Sequence, residues 1–597
     1  ITNSTWSLFD PKVCPGLAET HGSEFEKLYI KYEKEGKWKK QVNALEHLKH
    51  ICKWQIKTGY PFMWHKDASN ATSTQGLGTI MSSNLCTEIK LFYKYGKFTR
   101  NQVGGGGGET AVCTLGTVAL GRFVEDTYSA NEIKTIISTT NTTIKQLRNT
   151  GVSAYLDNNK HLNFQMLRNI EGDQRSLDLY IRYSPLLKKV KLRKLCHEFP
   201  VNPRINYLRL AHIAGQLTKN LNRCLDINAY PVPRAKMSSM RHRPLGIGIQ
   251  GLANAFAKLR IPYASKRAYN ISKQIAETLQ YGAMSASMML AKYIHEQHMK
   301  EYNDKGKVSV IVGYKYVEKK NNGYEVVPVT KCYTKEKPPS TSGAYSSFSK
   351  SPMSKGIFSN DLFREYITNN PINCKVKRYD NLRTSGKHFS LPGSKWNWIS
   401  LKYFVQKYGL RNSTLMAYPP TASSSQILDQ EQEKKPFDNM VIRRLQSGEY
   451  TIVNKYLMKM LDDLGIWDKK MSTEIVEHNG SIQSIKRIPK SIKELFVTPY
   501  EMNPIVSLLH SRAMSPWVCQ GISQNLFKAK PTIENLARYH ITSWALGLST
   551  GMYYLRSTST LERIKNSVSI DTQLKKIAGS EEDVEDNEEE VCMACSS

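Results

Sequence analysis

The last residues of the chain carry two cysteines at a spacing that supports thiol redox chemistry. Cys592 and Cys595 form a Cys-x-x-Cys pair, and residues 581–590 before it are acidic except for Val584 and Asn587. Such a charged block repels itself and buries little apolar surface, so we expect a flexible arm. A dithiol of this spacing closes to a disulfide and reopens, because the pKa of its first thiol is easily lowered. The pair would carry reducing equivalents; half of a zinc site and an inert tail are the alternative interpretations.

An amide, a thiol and a carboxylate side chain occupy every second position of a second segment, residues 84–88. Residues 77–92 have a strand-like pattern, and residues two apart on an extended strand face the same side. Asn84, Cys86 and Glu88 would then share one face, which is a poor core stripe because buried polar groups need partners. The alternation predicts a functional site around the thiol. A small buried cysteine beside a surface carboxylate is the alternative.

The composition allows one large enzyme domain or several smaller domains. The chain has 597 residues, of which 40% are hydrophobic, and no apolar run approaches a membrane span. Its 11 cysteines are scattered without framework spacing, which favours reduced thiols and a cytoplasmic location. The formal net charge of +32 raises the possibility of nucleic-acid binding, although residues 188–194 form the single tight basic cluster.

The helices and loops that must position these residues are unevenly distributed along the chain. Apolar residues at three- and four-residue steps predict helices within 24–60, 252–262, 267–297 and 531–549. Five consecutive glycines at 104–108 predict a flexible loop, because the Lys-Ser/Thr of a phosphate loop does not follow them. Residues 127–206 and 300–347 differ from their surroundings in composition and periodicity, so both are predicted to be insertions.

Several segments together resemble the large, catalytic subunit of class I ribonucleotide reductase. In family order they are Ser83-Asn-Leu-Cys-Thr-Glu-Ile, Ala111-Val-Cys, Arg241-His-Arg-Pro-Leu-Gly-Ile-Gly-Ile-Gln-Gly-Leu-Ala, Ser351-Pro-Met-Ser-Lys-Gly-Ile, Pro420-Thr-Ala-Ser-Ser-Ser-Gln-Ile, Asn479-Gly-Ser-Ile-Gln-Ser-Ile, Thr550-Gly-Met-Tyr-Tyr-Leu-Arg and the Cys592 tail. The resemblance implies an α/β fold, the second half of a ten-stranded α/β barrel with a central finger loop that bears a radical cysteine. It divides the chain into barrel parts at 1–126, 207–299 and 348–570, insertions at 127–206 and 300–347, and a flexible acidic tail with the CxxC pair at 571–597.

The same resemblance assigns roles around the finger loop. Cys86 would be the thiyl-radical residue, Glu88 the general base on the substrate 3′-hydroxyl, and Asn84 a hydrogen-bond partner of the reacting sugar. Cys113 matches one member of the active-site dithiol, whose other member lies in the first half of the family's barrel. No other cysteine of this sequence stands in a matching context.

Two further segments and the tail complete the implied site. Tyr553 and Tyr554 match the stacked pair that relays the radical to the cysteine; outside this context, adjacent tyrosines would be packing residues. Thr421, Ala422, Ser423 and Ser424 match the loop that binds the substrate diphosphate, where hydroxyls and backbone N–H groups suit phosphate oxygens. A helix N-cap is the alternative for this loop. Cys592 and Cys595 would pass electrons from thioredoxin or glutaredoxin.

These assignments imply reduction of ribonucleoside diphosphates to 2′-deoxyribonucleoside diphosphates, which supplies DNA precursors. The chain itself would bind no metal, because the radical metallocofactor is expected on a partner small subunit. ATP and dNTP effectors are expected on an N-terminal part that this sequence lacks, either because a separate chain supplies it or because the sequence is a fragment. The alternatives are an inactive reductase fragment or paralogue acting as a binding protein, and a basic nucleic-acid-binding protein.

Overall fold

Helices are the most abundant regular elements of the described chain. The computed structural model describes residues 4–96, 107–126, 203–319, 323–369, 396–437, 442–445, 448–451, 453–478 and 480–557. The α-helices are α1 Gly22–Lys34, α2 Ala44–Thr58, α3 Lys66–Ala71, α4 Tyr207–Ile227, α5 Pro233–His242, α6 Leu252–Leu259, α7 Lys266–Lys305, α8 Ser359–Asn369, α9 Trp398–Tyr408, α10 Ala422–Ile427, α11 Lys455–Asp463, α12 Lys469–Glu477, α13 Lys490–Leu495, α14 Ile505–Met514 and α15 Ile533–Ala545. The predicted helices are confirmed at α1, α2, α6, α7 and α15.

The strands are short and form pairs. They are β1 Thr5–Phe9, β2 Trp38–Asn43, β3 Met63–Trp64, β4 Thr114–Ala119, β5 Val124–Asp126, β6 Pro203–Ile205, β7 Leu245–Gln250, β8 Val308–Glu318, β9 Tyr324–Tyr333, β10 Ile442–Leu445, β11 Gly448–Thr451, β12 Leu526–Phe527, β13 Thr550–Met552 and β14 Leu555–Arg556. The β4–β7 and β12–β14 pairs are parallel, whereas the β1–β2, β3–β13, β5–β6, β8–β9 and β10–β11 pairs are antiparallel.

A parallel array at the centre of the molecule extends the β4–β7 pair. Ile247 of β7 bridges in parallel to Met416, and Tyr418 bridges in parallel to Ile522. The array therefore runs from β4 through β7 and residues 414–418 to residues 520–523. All six residues of β7 are buried, as is usual for a parallel strand that is covered on both faces.

Two long helices cover this array. Leu210 of α4 and Ile275 and Leu279 of α7 are fully buried in the same core as Ile247. The helices approach closely at Gly282 of α7, where an added Cβ would lie 2.1 Å from the carbonyl oxygen of Ala211. A larger residue at this position would separate α4 from α7 and loosen the layer behind the array.

The segment predicted as an insertion at 300–347 contains an ordered hairpin. Helix α7 continues to Lys305, and β8 and β9 follow it as an antiparallel pair. Tyr316 of β8 is fully buried, and its hydroxyl donates to the carbonyl oxygen of Gly108 at 2.6 Å. The hairpin therefore holds the end of the glycine run. The segment 127–202 and the tail with Cys592 and Cys595 lie outside the described residues, and the division into domains stays a prediction.

The α/β class is confirmed by the parallel strands and the helices that cover them. Among the residues described, none of the helices combines the length and hydropathy that crossing a membrane requires.

Candidate active site

The segment that carries Cys86 is a tight turn and not the predicted extended strand. Leu85 and Cys86 form the turn, and the amide of Thr87 donates to the carbonyl oxygen of Asn84 at 3.2 Å. Thr87 has a φ of 64°, which reverses the chain and which L-residues rarely adopt. The expectation of an alternating strand face was therefore wrong. The turn still keeps two of the three side chains together, because the Asn84 amide nitrogen donates to Glu88 at 2.9 Å.

Contacts from distant strands hold this turn in its unfavourable conformation. The hydroxyl of Thr550 in β13 donates to the Thr87 carbonyl oxygen at 2.7 Å. The amide of Gly521 donates to the Glu88 carbonyl oxygen, also at 2.7 Å. An added Cβ at Gly521 would lie 2.8 Å from the Thr87 carbonyl oxygen, so this approach requires glycine. The parallel array and β13 thus stabilise the Thr87 backbone that local preference disfavours.

Glu88 is a buried carboxyl group whose ionisation is disfavoured. Its side chain is 2% exposed, and its Oε2 atom has no hydrogen-bond partner among the described residues. Desolvation raises the pKa of Glu88 to about 7, while the hydrogen bond from Asn84 opposes this rise. The buried carboxyl of Glu433 contributes to the increase by electrostatic repulsion. A carboxyl group that titrates near neutral pH has a suitable pKa for a general base.

Of the two tyrosines predicted to form a relay, Tyr553 lies next to Cys86 and Tyr554 packs against Tyr553. The Tyr553 hydroxyl oxygen is 3.4 Å from the Cys86 sulfur, and both side chains are buried. The rings of Tyr553 and Tyr554 have centroids 4.4 Å apart and are tilted by 57°, so they are in contact without parallel stacking. Residues on an extended strand would point in opposite directions, whereas this pair lies between β13 and β14.

Cys113 lies directly before β4 and close to the turn. Its sulfur is 3.2 Å from the side-chain amide nitrogen of Gln520, which also donates to the carbonyl oxygen of Leu245 at 2.9 Å. The Gln520 side-chain oxygen accepts from the amide of Lys90 at 3.2 Å. Gln520 therefore connects the strand after Cys113 with the segment after Glu88. Burial raises the pKa of Cys113 to about 12.

Several residues of this region were missed by sequence reasoning. Cys519 is a buried free cysteine whose sulfur accepts from the amides of Leu415 and Met416 at 3.2 and 3.3 Å. Lys90 is 2% exposed, and burial lowers its pKa to about 8. Neither residue belongs to a spacing motif. The alternation of residues 84, 86 and 88 could have been extended to Lys90, which would have indicated a polar residue on the same buried segment.

The Thr421–Ser424 loop leads into helix α10, but Thr421 does not act as a side-chain N-cap. Thr421 has a φ of 55° and makes no capping hydrogen bond. Its hydroxyl oxygen accepts from the amide of Glu433 at 2.8 Å. The Ser424 hydroxyl donates to the Gln250 side-chain oxygen at 3.2 Å, and the Gln250 amide nitrogen has no partner among the described residues. Ala422 and Ser423 are half-buried.

The structure thus brings most of the predicted site residues into one region. Asn84 contacts Glu88, Cys86 of the same turn contacts Tyr553, and Gln520 links Cys113 to the segment after Glu88. The loop at Thr421–Ser424 is joined to the array through Gln250 of β7. The described residues include no cluster of His, Cys, Asp or Glu that could hold a metal ion. The positions of Cys592 and Cys595 relative to the site are not described.

Known proteins match nearly the whole chain. The large subunits of ribonucleoside-diphosphate reductase from Arabidopsis thaliana and Plasmodium falciparum (isolate Dd2) are 33% and 34% identical to it, over 99% and 96% of this chain and 56% and 52% of their own length. The chain therefore spans about half the length of these relatives. A solved structure, the Actinobacillus ureae class Id ribonucleotide reductase alpha subunit, aligns with a TM-score of 0.46 and 18% identity over 86% of this chain and 61% of its own. The family model described as ribonucleotide reductase, barrel domain, matches residues 1–158 and 186–554, and the chain belongs to this family.

Proposed function

We propose that this chain is the catalytic barrel part of a class I ribonucleoside-diphosphate reductase large subunit. The reaction would replace the 2′-hydroxyl of a ribonucleoside diphosphate by hydrogen and so supply deoxyribonucleotides. The observation that carries the proposal is the position of Cys86, which lies 3.4 Å from the Tyr553 hydroxyl and two residues from the buried Glu88. A thiol beside an oxidisable phenol, on the same turn as a carboxyl base, is suited to radical chemistry on a sugar hydroxyl.

Each group around Cys86 has a role in this proposal. Tyr554 and Tyr553 relay a radical to the Cys86 thiol. The Cys86 thiyl radical activates the sugar carbon, and Glu88 accepts the proton of the 3′-hydroxyl. With a pKa of about 7, Glu88 is partly ionised at neutral pH and both accepts and returns a proton readily. Asn84 orients Glu88 and the sugar.

Two electrons are needed for each reduced hydroxyl, and thiols are their proposed source. The raised pKa of Cys113 keeps its sulfur protonated at neutral pH, so it can provide hydrogen as well as electrons. The Cys592–Cys595 pair then restores the reduced site from thioredoxin or glutaredoxin. A small subunit with a metal-based radical cofactor is the proposed oxidant. ATP and dNTP effectors would act on the part of the large subunit that this sequence does not cover.

The loop at Thr421–Ser424 is the proposed diphosphate site. The unpartnered amide nitrogen of Gln250 lies beside Ser424 and supplies a hydrogen-bond donor to an anionic oxygen. The bond between the Glu433 amide and Thr421 fixes the loop in its left-handed conformation. Donors held in place before the substrate arrives lose little entropy on binding, which favours affinity.

The test is a pair of cysteine variants in an assembled enzyme. The assembly contains this chain, the remaining part of the large subunit and the small subunit, and it is assayed for reduction of a ribonucleoside diphosphate. We expect Cys86→Ser to abolish turnover and leave the thermal unfolding temperature nearly unchanged. The control is Cys52→Ser, because Cys52 is equally buried but lies in helix α2. Turnover by the Cys86 variant would refute the radical assignment, and an inactive wild-type assembly would favour a non-catalytic paralogue.

A further inference from the structure

Gln520 is a buried glutamine of the parallel array whose side chain lies against the sulfur of Cys113. Its amide nitrogen is 3.2 Å from that sulfur and 2.9 Å from the carbonyl oxygen of Leu245. Its side-chain oxygen accepts from the backbone amide of Lys90 at 3.2 Å. Gln520 is 2% exposed, so these bonds form away from water and hold the side chain in one orientation.

The partners of Gln520 determine which end of its side-chain amide faces the sulfur. The backbone amide of Lys90 only donates, and the carbonyl oxygen of Leu245 only accepts. Exchanging the nitrogen and the oxygen of Gln520 would place two donors together at Lys90 and two acceptors together at Leu245. The Thr414 hydroxyl donates to the Leu245 carbonyl oxygen, so its own oxygen is a further acceptor, 3.2 Å from the Gln520 nitrogen. The Cys113 sulfur therefore faces an N–H donor.

This donor matters because the surroundings of Cys113 disfavour a negative charge on its sulfur. Burial raises the pKa of Cys113 to about 12, the hydrogen bond from Gln520 opposes this rise, and the nearby Glu88 and Cys519 add to it. A neutral thiol sulfur is a weak hydrogen-bond acceptor, whereas bonds to an ionised acceptor are about twice as strong as neutral ones. The Gln520 donor therefore stabilises the thiolate of Cys113 more than its thiol.

We propose that Gln520 is a catalytic residue in the re-reduction of this site, the hydrogen-bond donor that stabilises Cys113 as the thiolate leaving group when its disulfide is opened. The inference deepens the proposed function and rests on it, because the proposed thiol chemistry oxidises Cys113 in each turnover. A disulfide opens faster when the departing sulfur is the better-stabilised thiolate. The donor therefore directs an incoming thiolate to the other sulfur of the disulfide, since only then does charge develop beside Gln520.

The exchange balances with one incoming dithiol. Its first thiol loses a proton and attacks the sulfur that is bonded to Cys113, and a mixed disulfide forms. The bond to Cys113 breaks with both electrons on the Cys113 sulfur, which accepts the N–H of Gln520 and then takes a proton from water. The second incoming thiol loses its proton, attacks the mixed disulfide and releases the other site cysteine, which is protonated in turn. Two electrons and two protons thus pass from the incoming pair to the site.

The first test measures the thiolate of Cys113 in the reduced full chain. The chain is treated with iodoacetamide at pH 9, and modification of Cys113 is followed by peptide mass spectrometry, with the exposed Cys224 as the internal reference. Gln520→Glu keeps an acceptor for the Lys90 amide, but its ionised carboxylate has no hydrogen to donate. We expect the rate at Cys113 relative to Cys224 to fall about tenfold, because losing a hydrogen bond to a charged group shifts the protonation equilibrium by about one pKa unit.

Gln524→Met is the matched control. Gln524 is also buried on the same segment, and its amide nitrogen donates to the Ser507 hydroxyl and not to a sulfur. The control should leave the relative rate at Cys113 unchanged. Gln520→Met removes both the donor and the acceptor and should lower the rate as Gln520→Glu does, so one folded variant of the two, verified by thermal unfolding, is sufficient. An unchanged or increased rate at Cys113 in that variant would overturn the proposal.

The second test separates this inference from the proposed function. The assembled enzyme is reduced, freed of reductant and given a ribonucleoside diphosphate, so that the product of one turnover is counted. Steady turnover is then measured where the rate is proportional to the dithiothreitol concentration. We expect Gln520→Met to keep the yield of the first turnover and to lower the dithiothreitol-dependent rate at least tenfold.

Each other outcome of the second test has one meaning. Loss of the first turnover in Gln520→Met, or a normal dithiothreitol-dependent rate, would overturn the role of Gln520 in re-reduction. A wild-type assembly that forms no product in the first turnover would instead refute the proposed function. The alkylation comparison needs this chain alone, so it would still decide whether Gln520 stabilises the thiolate of Cys113.

Discussion

The buried carboxyl group of Glu88 should make the stability of this chain depend on pH in a way that one substitution removes. The folded-state pKa of Glu88 is raised from 4.5 to about 7. Below pH 4.5 the group is neutral in both the folded and the unfolded states and carries no penalty. As the pH rises from 4.5 to 7, the unfolded chain ionises first, and the folded state loses stability relative to it. Above pH 7 the folded state loses no further stability through Glu88.

The size of this pH effect on stability follows from the shift in the pKa of Glu88. Each pKa unit corresponds to about 1.4 kcal/mol, so the shift of Glu88 implies a loss of roughly 3 kcal/mol between acidic and alkaline pH. Glu88→Gln is nearly isosteric and its side-chain oxygen can still accept from Asn84, but it does not ionise. The free energy of unfolding of the variant should equal that of the wild type near pH 4.5 and exceed it by about 3 kcal/mol at pH 8.

The assay is urea unfolding of the wild type and the variant, followed by circular dichroism at several pH values from 4.5 to 8. Glu494→Gln is the matched control, because Glu494 is an exposed residue of helix α13, and it should not change with pH in this way. A constant difference between wild type and Glu88→Gln over the whole pH range would refute the reasoning. A difference that decreases towards alkaline pH would mean that the carboxylate is stabilised by a partner and that burial is not its main constraint.

Three further predictions test other parts of the site. The free energy of unfolding of Lys90→Met relative to the wild type should rise by about 3 kcal/mol from pH 10.5 to below pH 8, because burial lowers the Lys90 pKa from 10.5 to about 8, and urea unfolding at several pH values checks this. Thr421→Val should cost about 1–3 kcal/mol, because it leaves the buried Glu433 amide unpaired, and it should weaken diphosphate binding measured by calorimetry. Replacing Cys592 and Cys595 by serine should abolish turnover with thioredoxin but preserve part of it with a small dithiol; equal loss with both reductants would make the tail structural.

The helices could be predicted from the sequence because their signals are local. Helix α7 shows amphipathic spacing, begins after Ser265, whose hydroxyl accepts from the Ala268 amide at 3.1 Å, and ends at Gly306 with a φ of 66°. Each of these features is encoded within a few residues. The candidate site residues could be assigned only through the resemblance, since Cys113 and Tyr553 carry no spacing signal of their own, and their roles stay predictions.

The conformation around Cys86 could not be predicted locally, because distant residues decide it. Threonine at position 87 favours an extended backbone, and the alternation of polar residues around it agrees with a strand. The bonds from Thr550 and Gly521 reverse this preference, and both come from parts of the sequence more than 400 residues away. The same is true of Thr421, where an N-cap was the alternative to a diphosphate loop, and the hydroxyl instead accepts from the backbone amide of Glu433.

The charges on this turn indicate why such distant support is needed. Glu88 and Lys90 are both buried, burial opposes the ionisation of each, and no ion pair joins them among the contacts of the described residues. A turn with a left-handed threonine and two desolvated ionisable groups is unfavourable in isolation. The free energy that stabilises this turn must come from the parallel array and β13, which contact it through Gly521 and Thr550. Substitutions in these strands should therefore impair the site before they unfold the helices, since the turn has little local stability of its own.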